Sequence, residues 1–171
     1  MPLNGQGAPA TLEQSDIASR IPHQGSMCLL GSVTAWDDKR IRCEASSHRA
    51  EDNPLRAHGR LGAACGIEYA AQAMAVHGAL VAEALAGAHG AAAAPKIGYL
   101  ASIRGLTLYV ERLDDLDGLL TIDAERLSGD DKTLLYGFSL HAGPALLLSG
   151  RAVVVLDAAG FSASPNPAGT A

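Results

Sequence analysis

The sequence predicts an α+β domain in which one antiparallel sheet curls around one long helix. Three observations predict it. The run Leu61–Ala82 (LGAACGIEYAAQAMAVHGALVA) is apolar on every side, with Glu68 its only formally charged side chain, and a helix that is apolar all round has to be surrounded. Two alternating segments precede that run, and everything after Pro95 alternates with period two between turn-rich breaks. Strands, one helix, then more strands suit a single sheet wrapped about the helix.

The elements follow in order. TLEQSDIASR (11–20) is a short helical piece with Thr11 as its cap, running towards Pro22. Met27–Trp36 and Lys39–Ser47 are two strands joined by a turn at Asp37 and Asp38. The second puts Ile41, Cys43 and Ala45 on one face and Arg40, Arg42 and Glu44 on the other. An irregular polar stretch, HRAEDNPLRAHGR, leads into the long helix, whose end is weakened by Gly78 and by Gly87–Gly90. AHGAAAAP is a low-complexity connection. A meander of about four strands closes the domain. Leu106, Leu108 and Val110 alternate with Thr107, Tyr109 and Glu111. Ile122 and Ala124, then Leu134, Tyr136, Phe138 and Leu140, then Leu146–Leu156 follow, separated by DDLDG, SGDDK and AGP. Both chain ends are rich in Pro, Gly, Ser and Ala. The expected organisation is a flexible N-terminus (1–14), one domain (15–157) and a flexible tail (158–171).

A chain of 171 residues fits one domain, and 48% hydrophobic residues suffice for a packed core. Only 4% are aromatic, so Leu, Val, Ile and Ala must fill that core. A net charge of −5 without a basic stripe argues against nucleic-acid binding. No Lys/Arg-rich amphipathic membrane face is present. The Leu61–Ala82 run is long enough to span a bilayer, but it is built of Ala and Gly and carries Glu68, Gln72 and His77, each expensive in lipid. The N-terminus lacks a basic start followed by an apolar core, and Cys28, Cys43 and Cys65 are odd in number and widely spaced. They are expected to be reduced thiols of a cytoplasmic protein, with neither disulfide framework nor zinc site.

Glu68 is the residue that asks for an explanation. A carboxylate among alanines is costly unless something pairs with it or uses it. A structural role, tied to a backbone donor or a cation, is the plain alternative. Gln72 lies one turn further on, so both project from one side of the helix. Cys65, one turn before Glu68, either lines the same pocket or fills a small core site. His77, nine residues beyond Glu68, faces the other way. The acidic turn DDLDG lacks calcium-loop spacing and is expected to be solvated. No glycine-rich phosphate loop precedes the helix in a strand–loop–helix context, so no cofactor and no metal are expected.

Two motifs carry a family resemblance. IPHQGSMCLL (21–30) is similar to the "(L/I)PHR-x-PFLL" opening of the 3-hydroxyacyl-acyl-carrier-protein dehydratases, and GIEYAAQA resembles their central-helix "E-A-x-A-Q", with Glu68 and Gln72 on the matching positions. The chain most resembles a divergent branch of that family found with aryl-polyene gene clusters, over roughly residues 15–156. The resemblance implies a hotdog fold and dehydration of a 3-hydroxyacyl thioester on acyl carrier protein to the trans-2-enoyl thioester. It also implies a homodimer with sites at the interface. In the family the catalytic His lies in a "G-H-F-P-G" loop fourteen residues before the helix acid, where this chain has Pro54. His58, ten residues before Glu68, could be delivered by a shortened loop. His23 could take over the role from the IPH segment, and is preferred.

Dehydration needs a base for the α-proton, an acid for the departing hydroxyl and donors for the enolate-like oxygen. A His suits the first task and a carboxyl in apolar surroundings the second. Free backbone N–H groups at the helix start, around Gly62, Ala63 and Cys65, suit the third. Gly62, Ala63, Cys65 and Gln72 are therefore the expected substrate-binding residues. Two other functions remain open: a hotdog thioesterase in which Glu68 activates water, and a non-catalytic subunit supporting an active partner.

Overall fold

The structure, a computed structural model, describes residues 11–90 and 97–157. The expected tail 158–171, residues 1–10 of the expected N-terminal segment and most of the AHGAAAAP connection lie outside the described residues. Its elements are β1 (Leu12–Glu13), α1 (Gln14–Ala18), β2 (Ser32–Trp36), β3 (Arg40–Ala45), α2 (Gly66–His89), β4 (Ile97–Leu108), β5 (Leu120–Gly129), β6 (Thr133–Ala142) and β7 (Ala145–Asp157), with short 3-10 turns at Gly25–Met27, Ser47–Arg49 and Ala63–Cys65. All seven strands form one antiparallel sheet in the order β1-β2-β3-β5-β6-β7-β4. α2 lies across its inner face, which is the hotdog arrangement. None of the described helices is long and apolar enough to cross a membrane.

Alternation decides which face is core. Ile41, Cys43 and Ala45 of β3, Leu120, Ile122 and Ala124 of β5, and Leu134, Tyr136, Phe138 and Leu140 of β6 point inward and are buried. They meet Tyr69, Ala70, Ala73, Met74, Val76 and Leu80 of α2. On the outer face Arg40 pairs with Glu125 and Arg42 with Asp123 across the β3–β5 ladder. The sheet does not close around the whole helix. Ala75 and Gly78 are exposed, and Ala71 and Ala82 are half-buried, leaving a stripe of small residues open on one side of α2.

Several expectations are corrected. TLEQSDIASR is not one helix capped by Thr11. Leu12 and Glu13 pair with β2, and the helix starts at Gln14 with Glu13 as its cap, the Glu13 N–H donating to Asp16 Oδ2 at 3.2 Å. Residues 12–14 thus belong to the domain. β2 starts at Ser32 and not at Met27, because the Leu29 backbone bonds to side chains in place of a strand: its N–H donates to Gln72 and its carbonyl accepts from Ser47. α2 runs through Gly78 and Gly87 and stops at Gly90, which has φ +66°. The meander holds only for β5–β7. β4 crosses to the far edge and pairs with β7.

Two features of the core yield testable consequences. His77 and Tyr136 are buried face to edge, with His77 Nδ1 2.7 Å from the Tyr136 hydroxyl and Nε2 2.8 Å from the Asp37 carbonyl. The carbonyl can only accept, so Nε2 carries the proton and the tyrosine donates to Nδ1. Burial pushes the imidazole below its ordinary range, against the opposing pull of the Asp37 carbonyl, and pushes the Tyr136 hydroxyl up to about 12. The unfolded chain therefore takes up a proton near pH ~6.5 that the folded chain resists. Stability should be fully present above that pH and fall as pH drops through it towards the lower folded value. Thermal melts between pH 8 and 5 should show this slope, and His77→Gln should flatten it; an unchanged slope would assign the effect elsewhere.

Gly66 opens α2 against the sheet. A Cβ there would lie well inside contact distance of Leu148 Cδ2 and 3.1 Å from Leu140 Cδ2, and both leucines are fully buried. Overpacking of that kind costs about 1–3 kcal/mol, while alanine recovers at most about 1 kcal/mol of helix propensity. Gly66→Ala should therefore lower the urea midpoint, and an unchanged or raised midpoint would show that the leucines yield freely.

Candidate functional site

Glu68 stands in the first turn of α2, where the positive end of the helix favours a carboxylate. Its side chain is one-third exposed, and Oε1 lies 2.9 Å from Nε2 of His23. Gln72, one turn on, donates from Nε2 to the same oxygen at 3.1 Å. Oε1 thus meets two nitrogens, while Oε2 has no partner among the described residues. His23 Nδ1 is buried and has no hydrogen-bond partner.

The loop that carries His23 is held at three points. Arg20 forks onto Glu83 of α2, Nε to Oε1 at 3.0 Å and Nη2 to Oε2 at 3.1 Å, and also donates to the Asp16 carbonyl. Gln24 folds back to the Ala18 carbonyl at 2.8 Å. Gln72 accepts the Leu29 N–H at 2.9 Å and donates to the Met27 carbonyl at 2.8 Å. The chain on both sides of His23 is therefore fixed to α2, and Ile21, Leu29 and Leu30 are buried between. Gln72 is fully buried, with its amide engaged on backbone and on Glu68. It faces inward and braces the site, where the sequence reading had it touching substrate.

The structure brings His23 to Glu68 and does not bring His58 there. Ala57 and Arg60 bridge across a tight turn whose two central residues, His58 at φ +52° and Gly59 at φ +71°, are both left-handed. His58 sits exposed at that tip, with no bond or ion pair to Glu68.

The start of the helix is also not as open as expected. Ala63 is buried and its N–H donates to the Glu111 carbonyl at 3.0 Å, while the Cys65 N–H donates to the Gly62 carbonyl at 3.0 Å. Those two donors are already engaged. Gly62 and Ala64 themselves are exposed, and the Gly62 N–H lies against the Cys65 thiol. The Cys65 thiol turns to the Leu55 carbonyl at 3.8 Å, and burial pushes it up from its ordinary range.

Two clusters that position the site escaped the sequence reading. Asp114, expected to be solvated, is almost fully buried: it accepts the Leu61 N–H at 2.9 Å, pairs tightly with Arg112, and has Arg56 at 3.5 Å. The Arg112 contact, then the Leu61 N–H, hold its carboxyl well below the usual range. Leu113 N–H to the Leu61 carbonyl completes a bridge that fixes where α2 begins. Tyr69, one residue after Glu68, has its hydroxyl 2.8 Å from Ser47 Oγ and 3.1 Å from Asn53 Nδ2, and Ser47 Oγ donates to the Leu29 carbonyl. An aspartate 53 residues from the N–H it accepts, or a serine beyond a strand, gives no periodic signal; only the folded chain joins them.

Elsewhere, a groove of ≈ 710 Å³ runs over the outer face of the sheet, lined by Trp36, Arg42, Asp123 and Ser139. Its charges neutralise one another and it holds neither His23 nor Glu68. Among the described residues no three His, Cys, Asp or Glu side chains converge as metal ligands.

Comparison with known proteins agrees with the fold. The dehydratase heterocomplex ApeI:P from Xenorhabdus doucetiae superposes with a TM-score of 0.69 at 21% identity, covering 82% of this chain and 90% of that one. A thioesterase family protein from Silicibacter pomeroyi gives 0.57 at 10% identity, over 82% and 94%. A hypothetical thioesterase from Streptococcus pneumoniae, solved with coenzyme A, gives 0.51 at 10%, over 73% and 84%. At these identities the likeness shows the fold. No curated protein matches the sequence. A family model described as ApeP dehydratase matches residues 15–162, nearly the whole of the domain, and on that match the chain belongs to the ApeP-like dehydratase family.

Proposed function

We propose that this chain dehydrates a 3-hydroxyacyl thioester carried on acyl carrier protein to the trans-2-enoyl thioester, in fatty-acid or polyene synthesis. The observation that carries the reading is the 2.9 Å contact between His23 and Glu68 at the positive end of α2. The reaction removes a proton from Cα and sends one to the hydroxyl that leaves Cβ, so it consumes no net proton. Two adjacent groups that can pass a proton between them are restored after each turnover. The Gly62 and Ala64 N–H groups are the donors for the thioester oxygen.

The open side of α2 and the edge strand β4 support an assembly of two hotdog chains. β4 has no neighbour on its outer edge among the described residues, and Ile97, Tyr99, Leu100, Leu106 and Leu108 are exposed along it, with Tyr109 just beyond. A long apolar edge invites another strand. The small-residue stripe of α2 suits a second helix alongside. A homodimer is the first expectation. That the Xenorhabdus doucetiae structure is a heterocomplex supports a second arrangement, in which a different hotdog chain takes the partner's place and this chain plays the supporting part.

Glu68→Gln keeps the shape and cannot exchange a proton. It should lose at least about 10²-fold in turnover, and activity within about threefold of the native chain would give the carboxylate a structural role. His23→Ala should match that loss, whereas His58→Ala should leave most activity; the reverse order would restore the shortened-loop reading. Intact-mass analysis of a 3-hydroxyacyl carrier substrate separates the three functions, since loss of water, loss of the acyl group and no change belong to dehydratase, thioesterase and supporting subunit.

Light scattering at micromolar concentration should give twice the mass of one chain. A monomer that doubles only with a second hotdog protein would replace the homodimer with the mixed pair, and a monomer under both conditions would sink the shared interface.

A further inference from the structure

We infer that the edge strand β4 selects its partner by charge, and that it fits a different hotdog chain which brings an aspartate or glutamate to Arg104. The inference rests on the two-chain assembly proposed above and deepens it by naming what the partner must carry.

One row across the outer face of the sheet carries the argument. The ladders set Arg40 opposite Glu125, Glu125 opposite Gly137, Gly137 opposite Arg151, and Arg151 opposite Arg104 on the edge strand. Residues directly opposite in an antiparallel pair share a face and sit close enough to interact. The row therefore reads cation, anion, glycine, cation, cation, and ends at the sheet edge. Arg104 and Arg151 are both exposed, and neither makes an ion pair among the described residues. Glu125 is taken by Arg40, and Asp123, in the next row, by Arg42. Like charges directly opposite one another are destabilising. The next position along the row lies beyond the edge, where β4 has no neighbour among the described residues.

A second copy of this chain brings no carboxylate to that position. β4 reads IGYLASIRGLTL, in which Arg104 is the only charged residue. The positions that share its face are Tyr99, Ser102 and Thr107, opposite Val155, Val153 and Ser149. An antiparallel copy can set only these, or its own Arg104, against Arg104, and it lays a second arginine pair on the same face. A charge on an edge strand can also serve to block pairing altogether. Here it does not close the edge, because Ile97, Leu100, Leu106 and Leu108 stay exposed along the same strand. The apolar positions admit a strand, and the arginine discriminates between strands. Self-pairing is thus permitted but weakened. A neighbouring strand runs roughly 4.8 Å away, within reach of a guanidinium fork that takes a carboxylate through two bonds.

A charge-reversed copy of the chain is the probe. Arg104→Glu combined with Arg151→Glu keeps the apolar edge and inverts the patch. Native and reversed chains, tagged to differ in mass, are mixed in equal amounts and left to exchange, and the pairs are counted by native mass spectrometry. Random exchange gives about half mixed pairs; charge selection should raise the mixed share to about four-fifths at low salt and return it towards half at about 1 M salt. Arg104→Gln, alone in solution, should self-associate at least about threefold more tightly than the native chain, measured by dilution. This single variant decides the matter if the doubly reversed chain does not fold. Random mixing at low salt, or self-association of Arg104→Gln no tighter than native, would overturn the charge selection and leave the assembly standing. Monomers in every sample would overturn the assembly reading and this inference with it.

Discussion

A helix without a polar face cannot rest on a flat sheet; it must be wrapped. That requirement shapes the rest of this molecule. The sheet curls so that β3, β5 and β6 press Ile41, Cys43, Ile122, Phe138 and Leu140 around α2, and Gly66 lets the helix start in close contact with β6 and β7. Wrapping is incomplete along Ala71, Ala75, Gly78 and Ala82, and the edge at β4 is left equally unfinished. The two openings belong to one geometric fact, that a single strip of sheet cannot close on itself around a helix of this length.

Enclosing the helix brings polar groups inside, and each has a reason to be there. A buried polar atom without a partner is expensive. Gln72 meets this by taking a backbone donor and a backbone acceptor from the Met27–Leu29 segment. Tyr69 does so through Ser47 and Asn53, with Ser47 reaching Leu29 again. Leu29 is thereby held at both its N–H and its carbonyl by groups tied to α2. The rigidity of the His23 segment follows from satisfying buried hydrogen bonds, and the precise contact with Glu68 follows from that rigidity.

Local features were legible in the sequence. Glu68 and Gln72 could be read because helical spacing places i and i+4 together, and the strand faces of β3, β5 and β6 could be read from alternation. The reading stopped where distance along the chain begins to matter. Nothing local shows that β4 crosses to the far edge, that Leu29 exchanges a strand partner for a glutamine more than forty residues away, or that Asp114 of an acidic turn reaches back to Leu61. His23 and His58 were separable only in part, because His23 follows Pro22 whereas His58, between Ala57 and Gly59, sits in a loop without a periodic signal; the left-handed tip that exposes His58 is a property of the folded loop.

The bridge that fixes the start of α2 has a consequence for how this chain can change. Each residue added to or removed from a helix turns everything beyond it by about 100°, which would swing Glu68 away from His23. Asp114 grips Leu61, after the Asn53–Arg60 loop has ended. Length changes within that loop are therefore absorbed upstream of the grip and never reach the helix. The Asn53–Arg60 loop is thus free to be shortened or rebuilt, while the carboxylate keeps its bearing.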